Sequence, residues 1–174
     1  MKYLHFVLLL LCLGLIACDD EESMVENYTL TSLHVEGYSF DPIPDGIQLA
    51  VDFESVGEDL DYKLQLHLHD NTYTTEGSYV LATTIKSMPL AAVQRETYSD
   101  SHNGVYSVES ETYTFGGELL SVSFGTTDLT NDPASRPALT KSADGILYQE
   151  QEHAVQFGDD GVINYTIKST WELE

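Results

Sequence analysis

His67 and His69 stand two residues apart in the stretch DYKLQLHLHD, so on a β-strand both imidazoles project from one face and could converge on a metal ion. Zinc takes three or four ligands, each steadied by a further hydrogen bond, and no third donor in fixed register completes the set. Asp70 follows directly, but a strand would aim it at the opposite face unless the turn redirects it. His34, His102 and His153 are scattered along the chain. The plain expectation is histidines on an outer wall, with no metal and no cofactor.

Asp128, Asn131, Asp132, Asp159 and Asp160 make two oxygen-rich stretches, yet EF-hand spacing is absent, and such residues ordinarily cap their own backbone in turns. Nucleophilic chemistry has no visible seat. The chain contains no Gly-X-Ser-X-Gly, no His-Glu-X-X-His and no glycine-rich phosphate loop. With 29 Asp and Glu, no one pair of carboxylates stands out as an acid and base. A non-enzymatic protein is therefore expected. Aromatic residues are the remaining candidates: eleven tyrosines, six phenylalanines and one tryptophan. Tyr62, Tyr79, Tyr106, Tyr113, Tyr165 and Trp171 are spread over successive apolar-polar stretches. Such groups can line the mouth of a barrel that binds an apolar ligand, or they can fill a solid core.

The elements that would position these side chains are strands. Period-two alternation places Tyr62, Leu64, Leu66 and Leu68 on one face and Lys63, Gln65, His67 and His69 on the other. Ile47, Leu49, Val51 and Phe53 repeat the pattern, as do Ile163, Tyr165, Ile167, Trp171 and Leu173. Further strands are read over 30–38, 72–86, 90–98, 105–110, 118–124 and 146–157. Asp70-Asn71, SHNG at 101–104, Gly116-Gly117 and GDDG at 158–161 carry hairpin-type residues between them. Gly77, inside a long strand pattern, reads as a bulge. Residues 125–145, with Pro133 and Pro137, read as one long loop. About nine strands joined by tight turns must close into an antiparallel up-and-down barrel or pair as a β-sandwich, and the meander order with a bulge glycine favours the barrel.

The N-terminus follows different rules. Met1 and Lys2 precede YLHFVLLLLCLGLIA, an apolar block shorter than the roughly 20 residues of a membrane span and ending on the small Ala17, which is the layout of an export signal. Leu15, Ile16, Ala17 and Cys18 resemble the lipobox of bacterial lipoproteins. That resemblance implies a leader over 1–17, acyl chains on Cys18, and DDEESMVEN as the rest of an acidic tether over 18–27, with one domain over 28–174. Loss of 17 residues from 174 leaves 157 and removes Cys12, so no intramolecular disulfide is possible and the core alone must hold the fold. Removal of Lys2 leaves six basic residues against 29 acidic ones, a formal charge of −23. Such a surface disfavours nucleic acid and anionic headgroups, so membrane attachment rests on the acyl chains, at about 0.8 kcal/mol per buried methylene.

Beyond the lipobox, YKLQLHLHD, TYTTEGSY, GVYSV and a last strand ending in STWELE resemble the small lipocalin-like lipoproteins of Bacteroidota. The CDDEE run is similar to the acidic signals that send such lipoproteins to the cell surface, which implies an outer-membrane, surface-exposed location. Lipocalins carry Gly-X-Trp in the first strand, whereas here that strand has Gly37-Tyr38 and the single tryptophan is Trp171. The resemblance thus bears on the barrel more than on its ligand. Two functional expectations stand side by side: a barrel binding a small apolar ligand at its mouth, gated by residues 125–145, or a surface scaffold docking an envelope protein or a glycan.

Overall fold

The computed structural model describes residues 24–43, 47–86, 93–125, 127–130, 136–157 and 161–174. Alternation of apolar and polar residues along these stretches produces strands β1 (Val25–Ile43), β2 (Ile47–His67), β3 (Thr72–Ile85), β4 (Gln94–Glu109), β5 (Thr112–Phe115), β6 (Ser123–Phe124), β7 (Thr127–Asp128), β8 (Ala138–Lys141), β9 (Leu147–Phe157) and β10 (Gly161–Leu173). Eight of them close an antiparallel barrel in the order β1-β10-β9-β8-β5-β4-β3-β2, while β6 and β7 form a separate hairpin. The architecture is the up-and-down barrel, not the sandwich. Its inner face is largely apolar, including Leu64 and Leu66 of β2, Tyr79 and Leu81 of β3, and Ile163 and Ile167 of β10.

Long strands must bend to go round the barrel, and register shifts in β1 and β2 accomplish it. In β1 the inward row passes from Tyr28 and Leu30 to Leu33 and Val35 across a shift between Leu30 and Ser32. In β2 the extra residue lies between Glu58 and Asp61, where Asp59 adopts φ +50°, so the bulge is on β2 and not at Gly77. Gly77 makes the adjacent close approach possible: at its φ of +139° a Cβ would stand 2.1 Å from the Asp61 carbonyl oxygen.

Three other expectations are corrected. SHNG is not a turn, because β4 runs unbroken and residues 101–104 pair with Glu76 to Tyr73. Fourteen residues of β3 need a long partner, and the ladder outweighs local turn preference; Gly104 serves instead to admit the Tyr73 ring, 2.9 Å from where its Cβ would be. The actual turn is Ser110-Glu111, at φ +56° and +125°, joining β4 to the four-residue β5. ELLSVSF is not a barrel strand, since only Ser123 and Phe124 pair, with Asp128 and Thr127. Residues 125–145 are not one loop either: Ala138–Lys141 is a wall strand, paired with β5 and β9. At the Asp70-Asn71 turn the expectation and the structure agree, with the Asp70 carboxylate accepting from the Thr72 amide at 3.1 Å and hydroxyl at 2.7 Å. Residues 158–160 and Cys18 lie outside the described residues.

The brevity of β5 and β8 shapes the site. β4 has 16 residues and β9 has 11, but their partners on this side have four each. Above Phe115 and Ala138, therefore, β4 pairs only with β3 and β9 only with β10. The chain fills the space between them with the segment after β5.

Candidate functional site

The segment 116–125 and 127–130, here called the insert, leaves the wall at Gly116-Gly117 and turns its side chains into the barrel. A Cβ on Gly117 would meet the Tyr73 hydroxyl at 2.9 Å, so a side chain there would block the entry. Leu119, Leu120, Val122 and Leu129 are buried, and Phe124 stacks on Phe53 with ring centroids 4.2 Å apart. Apolar burial of this kind stabilises by about 1.5–3 kcal/mol per fully buried aliphatic side chain. Asp128 shapes the C-terminal part by accepting from the amide and hydroxyl of Thr130 at 2.9 and 2.8 Å, the capping role expected of it.

The backbone of the insert has little sheet to satisfy it, and inward tyrosines of the wall do so instead. Tyr73 donates to the carbonyl of Glu118 at 3.0 Å, Tyr79 to that of Ser121, and Tyr165 to that of Leu129. Tyr98 accepts from the Ser123 amide at 3.2 Å and meets the Ser123 hydroxyl at 2.6 Å. Three strands thus hold the insert through side-chain oxygens. Such bonds contribute about 0.5–1.5 kcal/mol net each.

Between wall and insert lies a polar cluster. Asp100 and His102 point inward from β4, and the His102 amide donates to Thr75, whose hydroxyl also meets the Tyr62 hydroxyl at 3.0 Å. His102 Nε2 is 3.3 Å from the Ser121 hydroxyl and 3.5 Å from Asp100; its Nδ1 is 3.8 Å from Glu118. Both Asp100 oxygens are shut off from solvent without a hydrogen bond, a costly state for a carboxylate. Burial pushes the Tyr79 hydroxyl well above its usual range, and the Asp100 charge adds to it. Burial raises the Tyr62 hydroxyl likewise, opposed in part by the bond with Thr75 and reinforced by the Asp100 charge. Burial also raises the Glu118 carboxyl, helped by the nearby Asp128 charge and partly opposed by His102. Ser121, His102 and Glu118 fall in the order of a nucleophile, base and carboxylate, but 3.8 Å is beyond hydrogen-bond reach.

The aromatic residues singled out from the sequence are all buried, and they divide into two groups. Tyr62, Tyr79 and Tyr165 lie under the insert; Tyr62 packs edge-on to Tyr79 at 5.3 Å and reaches Trp171 at 6.2 Å. The Trp171 indole donates to Ser169, which donates to Gln149, a polar file among apolar neighbours. Tyr106 and Tyr113 sit apart, against one another at 5.8 Å, with Phe115 at 6.0 Å from Tyr106. At that end Glu26 accepts from Tyr28 at 2.7 Å and from Lys141 at 3.0 Å; burial, with Glu26 as neighbour, pushes the Tyr28 hydroxyl up to about 12. One small cavity, between the insert and Tyr165, Ile167 and His153, is about 20 Å³, room for one water molecule, while a wider open recess of about 570 Å³ lies against Phe53, Lys86, His153 and Tyr165.

The sequence reading missed Tyr73, Tyr98, Asp100, His102 as an inward residue, Glu118 and Ser121. One signal was present: Tyr98, Asp100, His102, Gly104 and Tyr106 keep period two straight through SHNG. His67 ends β2 and His69 stands in the following turn, and no group of three or more His, Cys, Asp or Glu placed to hold a metal occurs among the described residues. On the outer wall, five of the six described lysines and arginines are paired with carboxylates, for example Lys168 with Glu36 at 2.9 Å and Arg95 with Glu58 at 2.9 Å. Exposed pairs of this kind add little stability, but they leave the acidic excess as the free charge of the surface. No family model, curated protein or solved structure matches the chain.

Proposed function

We propose that the chain is a lipid-anchored, non-enzymatic lipoprotein of the cell envelope, acylated at Cys18, whose barrel binds a small, largely apolar ligand in the space the insert now fills. The observation that carries this reading is how the insert is held. Wall tyrosines place hydroxyl donors around a chamber whose occupant is a segment of the same chain outside the barrel sheet, seated there by four buried aliphatic side chains of its own. A ligand with an apolar body and one or two acceptor oxygens offers the wall what the insert offers it. Tyr62, Tyr79, Tyr165 and Trp171 are its contacts, while Tyr106 and Tyr113 belong to the floor.

The test is native mass spectrometry of detergent-solubilised lipoprotein with a panel of fatty acids, isoprenoids and pigments, together with quenching of Trp171 fluorescence. Retention of no ligand at micromolar concentration sinks the reading. The anchor has its own test: Cys18→Ser should abolish acylation and membrane fractionation, and lipid on the Cys18→Ser protein refutes it.

A second reading rests on the small enclosed volume. With the insert seated and a cavity of about 20 Å³ beside it, the barrel also suits a scaffold, whose acidic outer wall would dock a protein or glycan of the envelope. Cross-linking in intact envelopes that recovers one reproducible partner, with no ligand in the barrel, would decide for it.

A further inference from the structure

We infer that the anchored barrel stands on end: its floor, where β1 begins, faces the lipid bilayer, and the mouth at which Phe124 of the insert stacks on Phe53 faces away from it. The inference rests on acylation at Cys18 and concerns what that anchor does to a barrel of this topology. The strand ends define the floor. β1 begins there at Val25, β2 ends at His67 and β3 begins at Thr72, β4 ends at Glu109 and β5 begins at Thr112, β8 ends at Lys141 and β9 begins at Leu147, and β10 ends at Leu173. At the mouth, β1 and β2 pair as far as Ile43 and Ile47, β3 ends at Ile85, and β9 and β10 meet at Phe157 and Gly161. The Phe53–Phe124 stack and the open recess against Lys86, His153 and Tyr165 lie towards that end.

Two lengths set the orientation. A strand rises about 3.3 Å per residue and tilts about 40° in a closed barrel, so Val25 and Ser39 of β1 are separated by about 35 Å along the barrel axis. Cys18 lies six residues before Met24, which is at most about 20 Å of fully extended chain. An acyl chain on Cys18 therefore holds the floor near the bilayer and does not reach the mouth.

A barrel lying on its side would satisfy the same tether, and charge opposes it. The lysines and arginines of the wall are spent on Glu36, Glu54, Glu58, Glu174 and Glu26, so an anionic headgroup layer meets a wall with acidic excess. That repulsion acts over about 8 Å at physiological salt, and standing on end carries most of the wall beyond its range. The floor does not sink into the bilayer either. Leu173 is exposed there but lies between exposed Glu172 and Glu174, and exposed Val108 is followed by exposed Glu109, with Asp70, Glu111 and Asp144 completing an acidic rim. Taking a carboxylate into hydrocarbon costs more than a leucine or valine gains. A ligand of the barrel accordingly enters from the side away from the bilayer.

The experiment uses the full lipoprotein in vesicles of phosphatidylethanolamine and phosphatidylglycerol, four to one, with a short-range energy acceptor on the headgroups. Cys12 leaves with the leader and Cys18 is capped by lipid, so one introduced cysteine takes a donor dye at one place. Glu109→Cys and Asp144→Cys mark the floor, Asp52→Cys and Gln156→Cys the mouth; all four positions are exposed. Transfer should be several-fold stronger from the two floor positions than from the two mouth positions. A Gly-Ser insertion of about 20 residues after Glu22, long enough to let the barrel turn, should bring the four signals towards equality. Equal transfer from floor and mouth without the insertion overturns the standing barrel, as does stronger transfer from the mouth. The full contrast persisting with the insertion overturns the tether as its cause. Flotation separates this from the anchor: a lipoprotein that does not float with the vesicles, or floats equally well as Cys18→Ser, overturns the anchor and the orientation together, whereas Cys18-dependent flotation with equal transfer overturns the orientation alone.

Discussion

Tyr79→Phe removes one oxygen atom and tests whether tyrosine hydroxyls hold the insert. Tyr79 is fully buried, its ring is stacked on Tyr98 at 5.2 Å and meets Tyr62 edge-on, and its hydroxyl donates to the Ser121 carbonyl. Phenylalanine keeps the ring contacts and leaves that carbonyl without its donor. A net hydrogen bond contributes about 0.5–1.5 kcal/mol, and stranding a buried acceptor raises the loss to about 1–3 kcal/mol. The loss falls on the insert, because the rest of the Tyr79 environment is unchanged. A penalty of 1–3 kcal/mol multiplies the local opening constant by about 5 to 150, since 1.4 kcal/mol is a factor of ten. Exchange over 116–130 should accelerate by that factor, with exchange in β3 and β10 little changed. If the insert also docks in the last cooperative step of folding, Tm should fall by about 2–4 °C per kcal/mol for a chain of this size. Unchanged exchange in the insert, with Tm within 1 °C of wild type, would refute the role given to the tyrosine hydroxyls.

Other expectations concern the frame. Glu111 sits at φ +125° and Ser110 at +56° in a two-residue hairpin, so Ser110→Asn with Glu111→Gly should stabilise by about 1 kcal/mol, seen as a higher urea midpoint at unchanged m. Gly77→Ala should cost about 3 kcal/mol or more, or abolish refolding, because its Cβ would lie 2.1 Å from a backbone oxygen at φ +139°; urea denaturation or refolding yield reports it, and a loss below 1 kcal/mol would contradict the close approach. For the Glu26 carboxyl, burial alone would raise the pKa, but bonds from Tyr28 and Lys141 outweigh it and the net shift is downward. A lowered carboxyl stabilises above its unfolded pKa and loses that contribution as pH falls through the folded one. Glu26→Gln should therefore lower the urea midpoint at pH 7 and have little effect at pH 3; equal effects at both would contradict the Lys141 pairing.

Much of the wall was legible because its residues alternate without interruption. YKLQLHLH and VINYTIKSTW declare which side is in, and their partners follow from a meander order with short turns. What escaped the sequence was decided by distant partners. SHNG has every local mark of a turn, yet β3 demands a pairing partner there, and non-local ladder bonds outweigh a turn preference of the order of 1 kcal/mol. ALTK is four residues of wall hidden behind two prolines, recognisable as a strand only once β5 and β9 are in place. ELLSVSF alternates like a strand at Leu120, Val122 and Phe124, and it is buried like one; the unalternating Leu119 was the mark that it packs on more than one side. The aromatic residues were readable as inward and not as two groups, because whether a tyrosine reaches the insert or the floor depends on height in the barrel.

The claim that the insert is an exchangeable occupant of the barrel is tested most directly by following it while an apolar molecule binds. N-phenyl-1-naphthylamine, a neutral apolar fluorophore, can be titrated into the detergent-solubilised lipoprotein while exchange over 116–130 is measured in the same samples. The account expects one probe per chain, quenching of Trp171, and faster exchange in the insert in proportion to occupancy. Binding with the insert as protected as before, or no binding at a concentration that saturates known apolar pockets, would contradict it.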